Sequence, residues 1–291
     1  MRLLLKFNFI FALVFVAGLL SCGYLSRELL QRNAQDEILE NARLLMESSI
    51  AVRNYTSSQI KPLLETQLKY TFLPQVIPAY SATEVLHALG KKYPDYGYKE
   101  ATLNPTNPRD RAVEWEADIV NRFRSAGADV TELHGERGTP LGRMLYIARP
   151  IKITNPACLE CHSTVEAAPK TLLDKYGPAN GFGWNLNEVI GAQIVSVPMA
   201  LPLARAEKTF RVFMISLGSV FVAIAVLLNL MLWLAVIRPV TQLSHLADRV
   251  SLGEMQAPEF NVNGRDEIGV LAASFSRMRR SLEQAMKMLD G

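Results

Sequence analysis

Cysteine and histidine are scarce in this chain, with three Cys and four His among 291 residues. Three cysteines, two of them three positions apart, cannot build a disulfide framework, so the thiols need another explanation. Charge of one sign is lacking too. Lys and Arg total 31 against 28 Asp and Glu, a net charge of +3. No basic run interleaved with aromatics appears, so nothing argues for a nucleic-acid partner. Internal repeats and low-complexity tracts are absent, which removes solenoids and compositional linkers. No nucleophile-and-base set or phosphate-cradling glycine loop stands out, and the chain does not read as an enzyme.

The hydrophobic fraction, 49%, is ordinary, but its residues are clumped. Phe7 to Ser26 is a run of 20 uncharged residues and Val212 to Ile237 a run of 26. Either is long enough to cross a hydrocarbon layer of about 30 Å as a helix. The first run is long for a signal peptide, and no small-residue cleavage site follows it. Leu19-Leu-Ser-Cys22 faintly resembles a lipoprotein cleavage box, although Leu two positions before the Cys fits poorly. Otherwise Cys22 reads as a small apolar residue in a span. Asn229, inside the second run, suits a helix–helix contact, and Trp233 suits the interface.

The other two cysteines form Cys158-Leu159-Glu160-Cys161-His162. C-x-x-C-H is the spacing of covalent haem c attachment. Two thiols on one turn reach the edge of a flat ring, and the next residue, His162, ligates the iron. A thioredoxin-like couple would instead open a helix in a βαβ pattern, which is missing here. A zinc site would need a fourth ligand from Cys22, His87, His134, His245 or a carboxylate. Covalent haem attachment takes place outside the cytoplasmic membrane. That sets the expected topology: 1–26 as a cytoplasmic tip and first span, 27–211 as a periplasmic domain, 212–237 as the second span, and 238–291 as a cytoplasmic tail in a bacterial inner membrane.

Within 27–211, helical spacing predicts a long helix continuing from the first span to a break at Pro62. A short helix over 83–89 is closed by Gly90, and an amphipathic helix covers 111–124. Strands are expected at 129–133 and 144–148 around a glycine-rich hairpin at 135–142, and another at 189–197. A helix ending near Tyr176-Gly177 follows the cysteine motif. Helices followed by an antiparallel sheet make an α+β pattern. In the tail, Val236, Pro239, Leu243, Leu246 and Val250, then Ile268, Leu271, Phe275, Met278, Leu282, Ala285 and Leu289, step by three and four. These are two seam helices joined by a polar connector, and they call for partner helices.

Tyr93-Pro-Asp-Tyr96, Ala101-Thr-Leu-Asn-Pro-Thr-Asn-Pro108, Trp115-Glu-Ala-Asp118, Asn155-Pro-Ala-Cys-Leu-Glu-Cys-His162, Tyr176-Gly-Pro-Ala-Asn-Gly-Phe-Gly-Trp184 and Gly191-Ala-Gln-Ile-Val-Ser-Val-Pro198 resemble the c-haem-containing, PAS-like sensor domains of bacteria. The likeness covers about 35 to 200. It implies a PAS-like antiparallel sheet of five strands behind a long N-terminal helix. Cys158 and Cys161 carry over as attachment points and His162 as proximal ligand. Soluble members place a cysteine on the far side of the iron from a segment like Ala-Ile-x-Val-Cys; here the match is Ser49-Ile-Ala-Val-Arg53, and a guanidinium cannot ligate iron. Tyr55, His87, His134, Met46, Met144 and Met199 are the candidates for the sixth position. Arg53, Arg143 and Arg149 are candidates for haem propionates. Arg238-Pro239, Gly253-Glu254 and Asp266-Glu-Ile-Gly269 resemble a HAMP helical pair, which implies a homodimeric four-helix bundle. No kinase, cyclase or methyl-accepting region follows it. The expected protein is a haem c sensor of redox state or a small gas, relaying through HAMP to a separate cytoplasmic output protein. The alternative is a membrane-anchored electron-transfer cytochrome, which leaves HAMP unexplained.

Overall fold

A computed structural model describes residues 2–127, 130–140, 142–254 and 266–289. The chain divides into two compact units, Ser26–Phe210 and a second made of Met1–Leu25 with Arg211–Gly291.

Helix α1 runs Arg2–Tyr55 and passes into a π-helical turn, Thr56–Ile60. The short helices α2 (Lys61–Leu63) and α3 (Glu65–Leu68) follow; Pro62 lies inside α2, so the regular helix yields one turn ahead of it, at the π-helical segment, and helical backbone is first interrupted only at Leu64. Helix α4 spans Pro78–Lys92 with proline in its first turn. Gly90 does not close it. The helix keeps helical backbone through that glycine and stops at Tyr93, ahead of Pro94, whose ring disfavours a helical predecessor. Strand β1, Gly97–Thr102, has no counterpart in the sequence reading, because its Lys99 and Glu100 break the apolar alternation. Helix α5 spans Glu114–Ala126, its start fixed by the Val113 N–H donating to Glu116 Oε2 at 2.9 Å and its end by Gly127 at φ +74°. It begins three residues later than expected, since Ala112 N–H donates to Thr102 O and holds that segment against β1.

Strand β2 covers Leu133–Thr139 and β3 covers Gly142–Lys152. The expected 129–133 strand lies too early, and its first residue, Asp129, is outside the described residues, as is Leu141 in the hairpin. β2 instead runs through Gly135 and Gly138, paired from Leu133↔Ala148 to Thr139↔Gly142. After the cysteine motif come α6 (Leu159–His162), α7 (Lys170–Tyr176) and β4 (Val189–Pro198). Among the described residues the sheet has four antiparallel strands in the order β1-β4-β3-β2, not the five implied by the resemblance. Both faces are covered. Ile38, Ala42 and Met46 of α1 and Ala82 of α4 pack on Tyr98, Leu145, Ile147, Val195 and Val197. On the other face Ile119, Val120 and Phe123 of α5 meet Ala101, Ala148, Ala192 and Ile194. Each large side chain so buried contributes about 1.5–3 kcal/mol.

Register also places the loops. Thr102 pairs with Gly191, and so does Ile151. The end of β1, the end of β3 and the start of β4 therefore share one end of the sheet. The connections that leave and enter there are 103–113, 153–169 and 177–188.

In the second unit, α1 and α8 (Ala200–Leu232) carry apolar windows of mean hydropathy 2.2 and 2.8, and no residue of either window is buried by protein. A soluble core helix would be covered. Gly18 lets the Phe221 ring lie against α1, Phe15 stacks on Phe221 at 5.1 Å, and Asn8 and Asn229 exchange side-chain hydrogen bonds of 2.8 and 2.7 Å. A π-helical turn, Trp233–Ile237, leads into α9 (Arg238–Ser251), and α10 spans Glu267–Leu289. Asp266 caps α10 by accepting from the Gly269 N–H at 2.9 Å. Most of the polar connector between the two helices lies outside the described residues.

Candidate functional site

Asn155-Pro156 sets up the cysteine turn. The Asn155 side chain accepts from the Ala157 N–H at 2.9 Å and starts a 3-10 turn, Pro156–Cys158, that continues into α6. On that helical path Cys158 and Cys161 are three residues apart and share a face. Both thiols are free and half-buried. Burial raises the Cys161 thiol, with Lys61 opposing, so it stays protonated at neutral pH.

His162 is held from three directions. Its Nδ1 lies 2.7 Å from Gly181 O, and because a carbonyl only accepts, Nδ1 carries the proton. Thr106 Oγ1 is 3.4 Å from the same nitrogen. The Trp184 ring stacks on the imidazole at 3.9 Å and 17°. Burial lowers the His162 pKa, with the Gly181 bond acting against it, which keeps the ring neutral. The result is a neutral imidazole with Nδ1 engaged and the Nε2 lone pair available, the state a metal ligand requires.

The loops around it brace one another. Gly181 N–H donates to Asn104 Oδ1 at 3.3 Å, Asn104 Nδ2 to Phe182 O at 3.4 Å, Gly183 N–H to Ser163 O, and Trp184 N–H to His162 O. Gly181 sits at φ +89°, and a Cβ there would run into Thr106. Asn104, Thr106, Gly181 and Trp184 received no role in the sequence reading, although all four lie in motifs that carry its resemblance. The signal was the glycine-spaced run Asn180-Gly-Phe-Gly-Trp184, too polar and too punctuated to be core.

Arg53, near the end of α1, lies within electrostatic reach of Cys158, so α1 does reach the cysteine turn. It forms a short ion pair with Glu100, which is 3% exposed and also accepts from Tyr98 OH at 2.7 Å. Gln193 Nε2 donates to Tyr98 OH at 3.3 Å. Burial is the largest influence and acts to lower the Arg53 pKa, but the Glu100 charge and hydrogen bond, with Tyr98 and Cys158, together outweigh it and the guanidinium is held more tightly protonated.

The remaining candidates are scattered. Arg143 is exposed and paired with Glu136; Arg149 bridges Glu132 at 3.0 Å and Glu47 at 2.6 Å. Met46 and Met199 are fully buried in the core against α1, and Met144 is buried in β3. Tyr55 is exposed, as are His87 on α4 and His134 on β2, which pairs with Ile147. None of these six makes a hydrogen bond or ring contact with His162 among the described residues. Cys22 is exposed on α1.

A haem brings four nitrogens of its own and needs from protein two thiols, one neutral imidazole and partners for its carboxylates. Cys158, Cys161 and His162 fit that demand. They fit a closed zinc site poorly, because among the described residues no three His, Cys, Asp or Glu side chains are grouped to hold a metal ion.

A family model described as Tll0287-like matches residues 31–198, more than half of the chain, and a HAMP domain model matches 231–284. Among solved structures, the crystal structure of the cyanobacterial heme-protein Tll0287 aligns at 16% identity and a TM-score of 0.44, covering 56% of this chain and 95% of that one. No curated protein matches the chain.

Proposed function

From the premise that this chain belongs to the Tll0287-like family and carries a HAMP domain, we propose that it is a two-pass membrane sensor with a haem c held at Cys158, Cys161 and His162. The observation that carries the reading is the His162 ring, fixed through Nδ1 on Gly181 O with Nε2 left to bind. Each thiol would add across one vinyl group, its proton going to the neighbouring carbon, so attachment needs no net oxidation. The bound iron would supply a redox change or a coordination position for a small gas.

The chain's own residues divide the rest of the work. Gly181, Thr106 and Trp184 orient the imidazole. By the resemblance, a sixth ligand from α1 would come from the position Arg53 holds, and a guanidinium cannot ligate iron, which supports an iron face open to gas or filled from elsewhere. β4 leads through Pro198 and Met199 into α8, so a shift of the sheet has a covalent route toward the second span. In the tail, Leu271, Met278 and Leu282 stay exposed in a single chain, which supports a homodimeric HAMP bundle; the output would then pass to a further cytoplasmic protein. The topology that goes with this reading is a periplasmic sensor domain and a cytoplasmic HAMP domain in a bacterial inner membrane. An electron-carrying anchor would have no use for HAMP.

The test is the optical spectrum of the full chain, matured with haem in the periplasm, in ferric and ferrous forms with and without CO and NO. A ferrous form that binds either gas supports gas sensing, and a low-spin form that resists both supports redox sensing. Absence of covalent haem overturns the reading. Substituting Asp266 should change output with the spectrum intact.

A further inference from the structure

The three arginines picked out by sequence for the haem carboxylates are all engaged by protein carboxylates: Arg53 by Glu100, Arg143 by Glu136, and Arg149 by Glu132 and Glu47. A fourth is not. Arg109 gives Nη1 to Glu84 at 2.5 Å and lies 4.6 Å over the Tyr80 ring, but its Nε and Nη2 are buried and make no hydrogen bond. Asp110 Oδ1 is 3.6 Å from Nε, inside ion-pair range and too long for a hydrogen bond. Buried guanidinium donors left without an acceptor cost more than almost any other polar defect, so two of them on one side chain point to an acceptor that the protein itself does not provide.

The position is informative. Asn107 accepts from the Arg109 N–H at 3.2 Å and starts the 3-10 turn Pro108–Asp110, on the same loop whose Thr106 touches His162. Three residues of chain span at most about 11 Å, within the combined reach of an arginine side chain and a propionate arm. Resting on the haem reading above, we propose that Arg109 anchors one haem propionate through Nε and Nη2.

The anchor has a titratable neighbour. Burial pushes the Asp110 carboxyl up to about 6, with Arg109 and Lys99 opposing and Glu100 reinforcing, and Tyr176 is within reach of both Arg109 and Asp110. Loss of the Asp110 proton places a negative charge beside the Arg109–propionate pair, which favours ferric iron.

The experiment is a potentiometric titration of the full-length, haem-loaded chain from pH 5 to 8, with Arg109→Gln, Arg109→Lys and Asp110→Asn. Thioether attachment keeps the haem in place in each variant, so the potential can be read. The expected result is a wild-type potential that falls as pH rises through about 6, a lower potential throughout in Arg109→Gln, near-wild-type values in Arg109→Lys, and a flattened profile in Asp110→Asn. If Arg109→Gln fails to fold, Arg109→Lys and Asp110→Asn still carry the comparison. Unchanged potential and pH profile in the Arg109 and Asp110 variants, with a shift in Arg53→Gln, Arg143→Gln or Arg149→Gln, overturns the assignment while leaving the haem reading standing. A wild-type chain without covalent haem overturns that reading instead.

Discussion

Around His162 the polar atoms are held by three loops that depend on one another, whereas between the apolar helices Asn8 and Asn229 hold each other while each also keeps a carbonyl of its own helix. Asn8 Nδ2 reaches Leu4 O at 3.0 Å and Asn229 Nδ2 reaches Ala225 O at 2.9 Å. Losing the asparagine partner leaves each amide with a bond. Losing Gly181 O would leave His162 Nδ1 facing Thr106 at 3.4 Å, with nothing to set the tautomer firmly. A site assembled from loops is thus sensitive at each contributor, and a contact between two helices is tolerant because each helix satisfies itself.

Breaking the loop side should have the largest effect. Gly181→Val adds a side chain at φ +89° and drives it into Thr106, with an expected cost of about 4 kcal/mol from strain and overpacking combined. Urea unfolding should show that loss, and the covalent haem yield should fall with it; a wild-type midpoint would mean that the loop relaxes freely. Second, Glu100→Ala strips Arg53 of its partner beneath the sheet. The expected loss is about 2–3 kcal/mol, reduced from the fully buried case because Arg53 keeps some contact with water. Thermal unfolding checks it, and a Glu100→Ala, Arg53→Met double variant should recover part of the loss.

Third comes the pH dependence of Asp110. Its folded pKa, about 6, lies above the ordinary carboxylate value, so the folded protein binds more protons than the unfolded chain between about pH 4 and 6. Stability must fall as pH rises through that window, and the cost is fully present above it. Asp110→Asn should stabilise the fold at pH 7.5 by on the order of 1 kcal/mol after screening by water, read as a raised thermal midpoint, and change little at pH 4. The opposite pattern would mean that Arg109 dominates the carboxyl. Smallest is the asparagine pair between the two apolar helices. Asn8→Leu or Asn229→Leu should cost about 0.6 kcal/mol, and the double variant little more than either single one. Cysteine cross-linking between the two helices in native membranes reads whether their register holds; a lost register in either single variant would make the pair a latch and erase the contrast drawn here.

Much of the molecule was legible in the chain. Uncharged runs of 20 and 26 residues give helices long enough to cross a membrane, as composition alone demands. The C-x-x-C-H spacing marks the candidate site, and the seam of Ile268, Leu271 and Phe275 falls in the HAMP match. Local signals failed where the energy is not local. β1 contains Lys99 and Glu100, whose charges are matched by Glu116 on α5 and Arg53 on α1, 17 and 47 residues away. Nothing within the strand announces that match. Gly90 looks like a helix stop, but an interior glycine costs only about 1 kcal/mol, and the chain continues until proline ends it.

By itself, then, the sequence determined that this protein has two helices long and apolar enough to cross a membrane, that two thiols and an imidazole share one turn, and that a helical seam follows the second apolar run. Those features rest on hydrophobic length and on spacing along one element. Only the tertiary structure decided which atoms hold His162, that Arg53, Arg143 and Arg149 are already paired, and that Arg109 is left with buried donors. Those outcomes depend on contacts between separate elements, from 7 residues apart for Arg143 and Glu136 to 102 for Arg149 and Glu47, which strand register and loop packing set.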